Sequence, residues 1–181
     1  MTEDSDDGSL VRRCCGGDRR AFEVLVARYQ KTVYNAALRM LHDREEARDV
    51  VQTVFLKAYE NLDGYDPKFK FYSWLYRIAL NESIDTLQRR RPNGVLDLDA
   101  PDDGPGPEEA VGQGQARDAL VRALMTLSTE YRAVVVLRHF VDCSYEDMAQ
   151  ILGLPEKTVK SRLFSARQLL RSAVEAQGPQ R

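Results

Sequence analysis

The chain reads as all-α, with two small helical domains joined by a flexible acidic Pro/Gly-rich linker and a helix-turn-helix in the C-terminal domain. Three observations predict this. Apolar residues recur three and four apart on both sides of the middle, with no strand-like alternation to compete. Residues 92–116 carry four of the seven prolines and five of the eleven glycines. The stretch "CSYEDMAQILGLPEKTVKSRLFSARQLLR" holds a capping signature, a glycine stop and a proline start, in the order two crossed helices need.

Before the linker, Phe22, Leu25, Val26, Tyr29, Val33 and Ala36 form one helical stripe, for which Asp18 is the expected cap. Asp43 with Glu46 has the form of a capping box for a second helix, whose apolar positions are Val50, Val51, Val54, Phe55, Ala58, Tyr59 and Leu62. "NLDGYDPK" then breaks the chain, and a third helix is expected from near Phe69. Residues 68–77, "KFKFYSWLYR", hold five of the fifteen aromatic residues. At about 100° per residue, Phe71, Trp74, Leu75 and Ile78 share a stripe and are core candidates, while Tyr72 and Tyr76 lie off it. Further along, the apolar face rotates to Leu80, Ile84 and Leu87. The old stripe continues as Asn81, Asp85, Gln88 and Arg89, ending in the basic run Arg89–Arg91.

The linker cannot bury enough apolar surface to offset its ordering entropy, so domains of 1–91 and 117–181 follow. Beyond it, helices are expected over 116–126 and 129–141, the second capped by Ser128. In the helix-turn-helix, Ser144 and Asp147 form a capping box, Gly153 ends one helix and Pro155 suits the first turn of the next. Along that next helix Val159, Leu163, Ala166, Leu170 and Ala173 share one arc, and Lys157, Lys160, Ser161, Arg167, Gln168 and Arg171 lie opposite, with Arg162 on the flank. Five cations against Glu156 alone make 155–171 strongly basic. A helix face of that sign fits a DNA major groove; Lys160, Ser161 and Ser165 are the best placed for base edges.

Net charge, only −2 overall, divides into +1 for residues 1–91, −6 for 92–116 and +3 for 117–181. Cys14, Cys15 and Cys143 do not suggest a disulfide framework, and neither they nor His42 and His139 have zinc-site spacing, so no metal or cofactor is expected. There is no nucleophile, base and orienter set and no phosphate-cradling glycine loop, which argues against an enzyme. The start, "MTEDSDDGSLVRRCCGGD", is acidic where a secretory signal is basic, and no apolar run is long enough for a membrane span. A cytoplasmic protein without membrane insertion is expected.

"DVVQTVFLKAYENLDGYDP", "FYSWLYRIALN" and "SYEDMAQILGLPEKTVKSRLFSARQLLR" together resemble the extracytoplasmic-function (ECF) sigma factors, of the sigma-70 family of bacterial RNA polymerase subunits. The resemblance spans both helical blocks. It implies that Asp49, Gln52, Phe55 and Tyr59 dock on core RNA polymerase. It implies that the loop around Tyr65, Lys68, Phe69 and Lys70, with Tyr72 and Tyr76, captures a base of the melted non-template strand at the minus-10 element, and that Asn81, Asp85, Gln88 and Arg89 lie along that element. Lys157, Thr158, Lys160, Ser161, Arg162, Ser165 and Arg167 would then face duplex promoter DNA at minus-35. The linker resembles one that threads toward the polymerase active centre, and an anti-sigma factor is an expected partner. A two-domain helix-turn-helix regulator that binds duplex DNA on its own would explain the C-terminal block equally well, but not the aromatic cluster followed by a polar helix face.

Overall fold

The computed structural model describes residues 6–90 and 111–176, with side chains described from residue 118 in the second span. The expected linker up to residue 110, with Arg91, lies outside the described residues. The described residues form eight α-helices and no strand: α1 (Asp7–Cys15), α2 (Arg19–Leu41), α3 (Arg44–Glu60), α4 (Phe71–Arg90), α5 (Val111–Thr126), α6 (Thr129–His139), α7 (Tyr145–Leu152) and α8 (Glu156–Ala176).

Caps set most of the boundaries. Asp18 accepts from Arg20 N at 3.1 Å and starts α2; Asp43 accepts from Glu46 N at 2.9 Å and starts α3. The second of these is one half of the expected box, because the Glu46 carboxylate is engaged by Arg90 of α4, Nε to Oε1 2.8 Å. Helix α2 ends at His42 in the left-handed region (φ 52°), whose amide bonds back to Leu38 O. That leaves the last carbonyls of α2 in need of partners. Met40 O accepts from Arg132 and Leu41 O accepts from Arg90 Nη1 at 3.1 Å.

Helices α2, α3 and α4 pack around Leu25, Val33, Met40, Val54, Phe71 and Leu75, all nearly inaccessible to solvent. The Lys57–Glu82 ion pair adds a second tie between α3 and α4. Helix α1, which the periodicity does not announce, lies against α2 and buries Leu10 and Val11. Arg28 and Tyr29 of α2 both donate to Asp7 at its start, and burial together with that carboxylate pushes the Tyr29 hydroxyl well above its usual range. Only two buried apolar positions among charged neighbours is too weak a periodic signal to reveal so short a helix.

In the second unit, α6 and α8 enclose Val134, Val136, Leu137, Val159 and Leu163, with Met148 from α7. Helix α5 begins at Val111, inside the span that composition assigns to the linker, and α6 stops at His139. Ser128 stands at the N-cap of α6 but makes no side-chain cap bond; its carbonyl accepts from Arg132 N at 2.9 Å. The box at α7 is complete, Asp147 N to Ser144 Oγ 3.1 Å and Ser144 N to Asp147 Oδ2 3.3 Å. Gly153 takes the left-handed conformation (φ 65°) that ends α7, where any side chain would be strained. Pro155 precedes α8 and offers its carbonyl to Thr158 and Val159.

Candidate functional site

The loop between α3 and α4 is short and tightly braced. A 3₁₀ turn over Leu62–Gly64 is followed by a turn at Asp66, whose carboxylate accepts from Lys68 N at 3.0 Å and whose carbonyl accepts from Phe69 N. Tyr65 anchors the loop from within. Its ring lies 5.7 Å from Phe71 and 5.6 Å from Trp74, and its hydroxyl donates to Phe69 O. Tyr29, Tyr65, Phe71 and Trp74 thus form one aromatic cluster, in edge and tilted contacts that stabilise rings beyond their buried area. Tyr65 is consequently a brace rather than a displayed ring. The ring the brace presents is Phe69, 50 % exposed and flanked by exposed Lys68 and Lys70.

One further expectation about rings is corrected. Tyr76 is only 3 % exposed. It is packed near Thr32 of α2 and Cys143 beyond α6, and burial raises its hydroxyl pKa, so it is not available to stack on a base. Tyr72 is half-buried and bonds to Asp147; burial, then that carboxylate, pushes its hydroxyl up to about 12. Trp74 and Ile78, expected in the core, are half-buried. The polar stripe Asn81, Asp85, Gln88 and Arg89 does face solvent along the second half of α4, as its spacing anticipates.

On α3, Asp49 and Gln52 are exposed and Tyr59 is 43 % exposed, but Phe55 is turned inward at 8 % and lies edge-on to Phe22. The outward apolar residue at this point is Leu56, 58 % exposed. Asp49, Gln52, Leu56 and Tyr59 recur at steps of three, four and three, the repeat with which one helix lies along another. The signal was therefore present in the spacing, and an aromatic residue one position earlier obscured it.

Helix α8 presents Lys157, Lys160, Ser161 and Arg167 to solvent, while Thr158 and Ser165 are half-buried on its flanks. Arg162 is turned toward α6, where it pairs with Glu130 at 3.1 Å, and so it braces the motif instead of facing outward. Lys160 pairs with Glu156 at 2.9 Å and reaches over the Tyr145 ring. Arg167 Nε donates to His139 Nε2 at 3.3 Å; burial, then that cation, lowers the His139 pKa. In the middle of this basic face stands Phe164, 65 % exposed, the most exposed large apolar side chain among the described residues. Its side chain is apolar where the charged spacing of this face marks only polar groups, and an apolar group among cations is suited to a thymine methyl in a major groove.

The two helical units also touch each other. Lys70 Nζ lies 3.0 Å from Asp147 Oδ1; Arg77 donates to Gln150 O and to Ile151 O (3.3 Å); Arg39 stacks on Phe140, 4.1 Å from guanidinium to ring centre. Arg132 is buried with four backbone carbonyls as acceptors: Leu124 O at 3.2 Å, Met125 O at 2.9 Å and Leu127 O at 3.1 Å in its own unit, and Met40 O across the contact. Burial, then the nearby Arg90, lowers its pKa to about 10, which still leaves it a cation at neutral pH. Beside this contact a cleft of about 790 Å3 opens between α2, α3 and α5, with Leu38, Val51, Leu120 and Leu124 among its lining and Lys31, Arg44 and Arg48 around it. Among the described residues there is no group of His, Cys, Asp and Glu that would hold a metal ion, and no helix long and apolar enough to cross a membrane.

Comparison with known proteins matches both units. Residues 25–92 fit the family model of sigma-70 region 2, and residues 117–170 fit that of sigma-70 region 4. The RNA polymerase sigma-H factor of Pseudomonas aeruginosa is 35 % identical over 97 % of each chain. The ECF RNA polymerase sigma factor SigW of Bacillus subtilis is 34 % identical, over 89 % of this chain and 92 % of its own. A solved structure of CnrH in complex with the cytosolic domain of CnrY superposes with a TM-score of 0.73 at 31 % identity, over 93 % of this chain and 97 % of that one.

Proposed function

The chain belongs to the ECF sigma factors of the sigma-70 family, transcription initiation factors and not enzymes, and from that premise we propose how its surfaces divide the work. Units 1–91 and 117–181, joined by the acidic segment 92–116, act in the cytoplasm on two promoter elements. The α3 face of Asp49, Gln52, Leu56 and Tyr59 docks on core RNA polymerase. Phe69, with Lys68, Lys70 and Tyr72, meets a base unstacked from the minus-10 element, where aromatic stacking offsets the lost base stacking. Asn81, Asp85, Gln88 and Arg89 track the adjoining single strand.

The outward face of α8 enters the minus-35 major groove, with Lys157, Lys160 and Arg167 on phosphates and Ser161, Phe164 and Ser165 toward base edges. The observation that carries this reading is the coexistence of two outward DNA-type faces, one polar on α4 and one basic on α8, on separate helical units. A regulator that binds duplex DNA alone has no use for the first.

The cleft beside the inter-unit contact fits an anti-sigma partner that inserts an acidic amphipathic helix. Its floor is apolar, and no carboxylate lines it among the described residues. CnrH, the structural relative, was itself solved bound to another protein's cytosolic domain.

Run-off transcription with core polymerase and a genomic template library tests the proposal. Protein-dependent start sites sharing two elements are expected. No such starts, or equally tight duplex binding without polymerase, would refute it.

A further inference from the structure

Helix α1 ends in two adjacent cysteines, Cys14 and Cys15, followed by Gly16 and Gly17. Both thiols are free; Cys14 is half-buried against the core and Cys15 is exposed. The Cys15 thiol donates to the carboxylate of Asp63, in the 3₁₀ turn that opens the loop carrying Tyr65 and Phe69. At the other end of α1, Asp7 accepts from Tyr29, whose ring lies 5.8 Å from Phe71. Helix α1 thus straps the base of that loop, and the cysteines form one end of the strap. None of the surfaces assigned to polymerase or DNA uses them.

Their surroundings select the kind of reagent the pair can hold. Burial, then Cys15 and the carboxylates of Asp18 and Asp63, raises the Cys14 pKa; burial, then the hydrogen bond and charge of Asp63, raises that of Cys15. Both stay protonated at neutral pH. Oxidation by a peroxide begins from a thiolate, and a divalent cation has to displace both thiol protons and needs further ligands. Asp18 and Asp63 do not complete such a set. A neutral trivalent hydroxide such as arsenous acid has neither requirement, and its soft centre prefers sulfur to oxygen. Two As–O bonds break, two As–S bonds form, each thiol proton leaves with a hydroxyl as water, and arsenic stays trivalent.

Adjacent helical residues point about 100° apart, so one atom that bridges both sulfurs has to reshape the last turn of α1. That turn is already a helix end. Gly17 N closes on Cys14 O at 2.9 Å, a 3₁₀ step, and Gly17 itself has a φ of 94°. We propose that Cys14 and Cys15 form a dithiol site for trivalent arsenic hydroxides and organoarsenicals, and that filling it takes Cys15 from Asp63 and slackens the loop that presents Phe69. The site does not depend on what the loop binds. Its effect on promoter melting rests on the reading of Phe69 as the minus-10 ring.

Phenylarsine oxide and sodium arsenite, added to the reduced full chain, are the probes. Intact-mass spectrometry should show a single phenylarsenic group per chain, formed with loss of one water. Dithiothreitol should remove it, and 2-mercaptoethanol at equal thiol concentration should not. Cys14→Ser and Cys15→Ser should each weaken binding by about 10²-fold or more, because each turns a two-point attachment into one. Cys143→Ser, a buried thiol, should change nothing. Amide exchange over 62–69 should quicken on binding in wild type and not in the Cys14→Ser, Cys15→Ser double variant. In run-off transcription with core polymerase, the arsenical should lower promoter melting by wild type and spare the double variant.

No adduct on wild type, or one that keeps full affinity in either single variant, would overturn the site. So would a Cys14–Cys15 disulfide formed by equimolar hydrogen peroxide, or zinc held as tightly as the arsenical. An adduct that leaves exchange over 62–69 unchanged would overturn the slackening. If neither protein supports transcription before the arsenical is added, the sigma reading fails, while mass and exchange still decide the site and the slackening.

Discussion

Helices α4 and α8 are close in length, 20 and 21 residues, and both are assigned to DNA, yet they are built on opposite plans. Helix α8 is amphipathic in the simple sense: Val159, Leu163 and Ala166 are buried and the other side is wet. Helix α4 has no single apolar side. It packs on α2 and α3 through Phe71, Leu75, Ala79 and Leu80, meets α7 across its first half, and in its second half is open along Asn81, Asp85, Gln88 and Arg89. A helix that touches protein on one side can be read by period alone. One that touches protein on several sides needs to have its neighbours known.

The largest expected effect separates the two helices at their phenylalanines. Phe71→Ala removes a ring that is 2 % exposed and contacts Tyr29, Tyr65 and Trp74, and should cost about 3–5 kcal/mol of stability. Phe164→Ala, on the wet face of α8, should stay within about 0.5 kcal/mol. Chemical denaturation of both variants measures the contrast, and a destabilised Phe164→Ala would mean that α8 packs where it is described as exposed.

Asp147 sharpens the comparison, because it caps α7, the helix that precedes α8 in the helix-turn-helix, and also bonds to the start of α4. Burial on its own would raise its carboxyl pKa, but hydrogen bonds from Ser144, Tyr72 and Lys70, with the Lys70 charge, outweigh burial and hold it below 3.8. A depressed folded-state pKa contributes stability that is complete above 3.8 and is lost as pH falls through the lower folded value. The groups facing it are Lys70 just before α4, Tyr72 in the first turn of α4, and Ser144 and Cys143 from its own unit. Acidification through that window should cost wild type about 1 kcal/mol more than Asp147→Asn, roughly the worth of a helix cap. Equal pH slopes for the two proteins in urea titrations would remove the carboxylate from this role.

A smaller effect concerns what α8 reads. Replacing thymine by uracil one position at a time in a minus-35 duplex removes single methyl groups. At one position this should weaken polymerase-bound wild type by about 0.8 kcal/mol, the value of one buried methyl(ene). Phe164→Ala should be indifferent at that position. If every substitution affects both proteins alike, Phe164 touches no methyl. The smallest difference lies between two cations two positions apart on α8, one facing outward and one turned toward α6. Lys160→Ala should reduce the salt dependence of promoter binding by about one unit of slope. Arg162→Ala loses a pair with an exposed glutamate, worth at most about 1 kcal/mol, and should leave the slope nearly unchanged.

Local rules reached far in this chain because most of its boundaries are local. Asp18, Asp43, the Ser144–Asp147 box and Gly153 act within a turn of themselves, and each stands where its side chain or backbone freedom predicts. The inward arc of α8 and the outward stripe of α4 follow from the helical repeat. The misses share a different cause. Arg162 lies on the flank of its stripe and Tyr76 lies off its stripe, where about 100° per residue does not say what a neighbouring helix will cover, while Phe55 stands within the apolar stripe of α3 and only the resemblance turned it outward. Which way each turned was decided by Thr32 and the Cys143 region, by Phe22, and by Glu130, each remote in sequence.

Two helical units, their caps, the basic face of α8 and the family itself are written in the order of residues, because caps and periodicities act over a few positions. Which rings of "KFKFYSWLYR" are displayed, that Leu56 and Phe164 are the outward apolar groups, and that α7 is gripped by α4 were decided only when distant helices met. Burial and hydrogen-bond satisfaction are properties of that meeting, and no short window of sequence contains both partners.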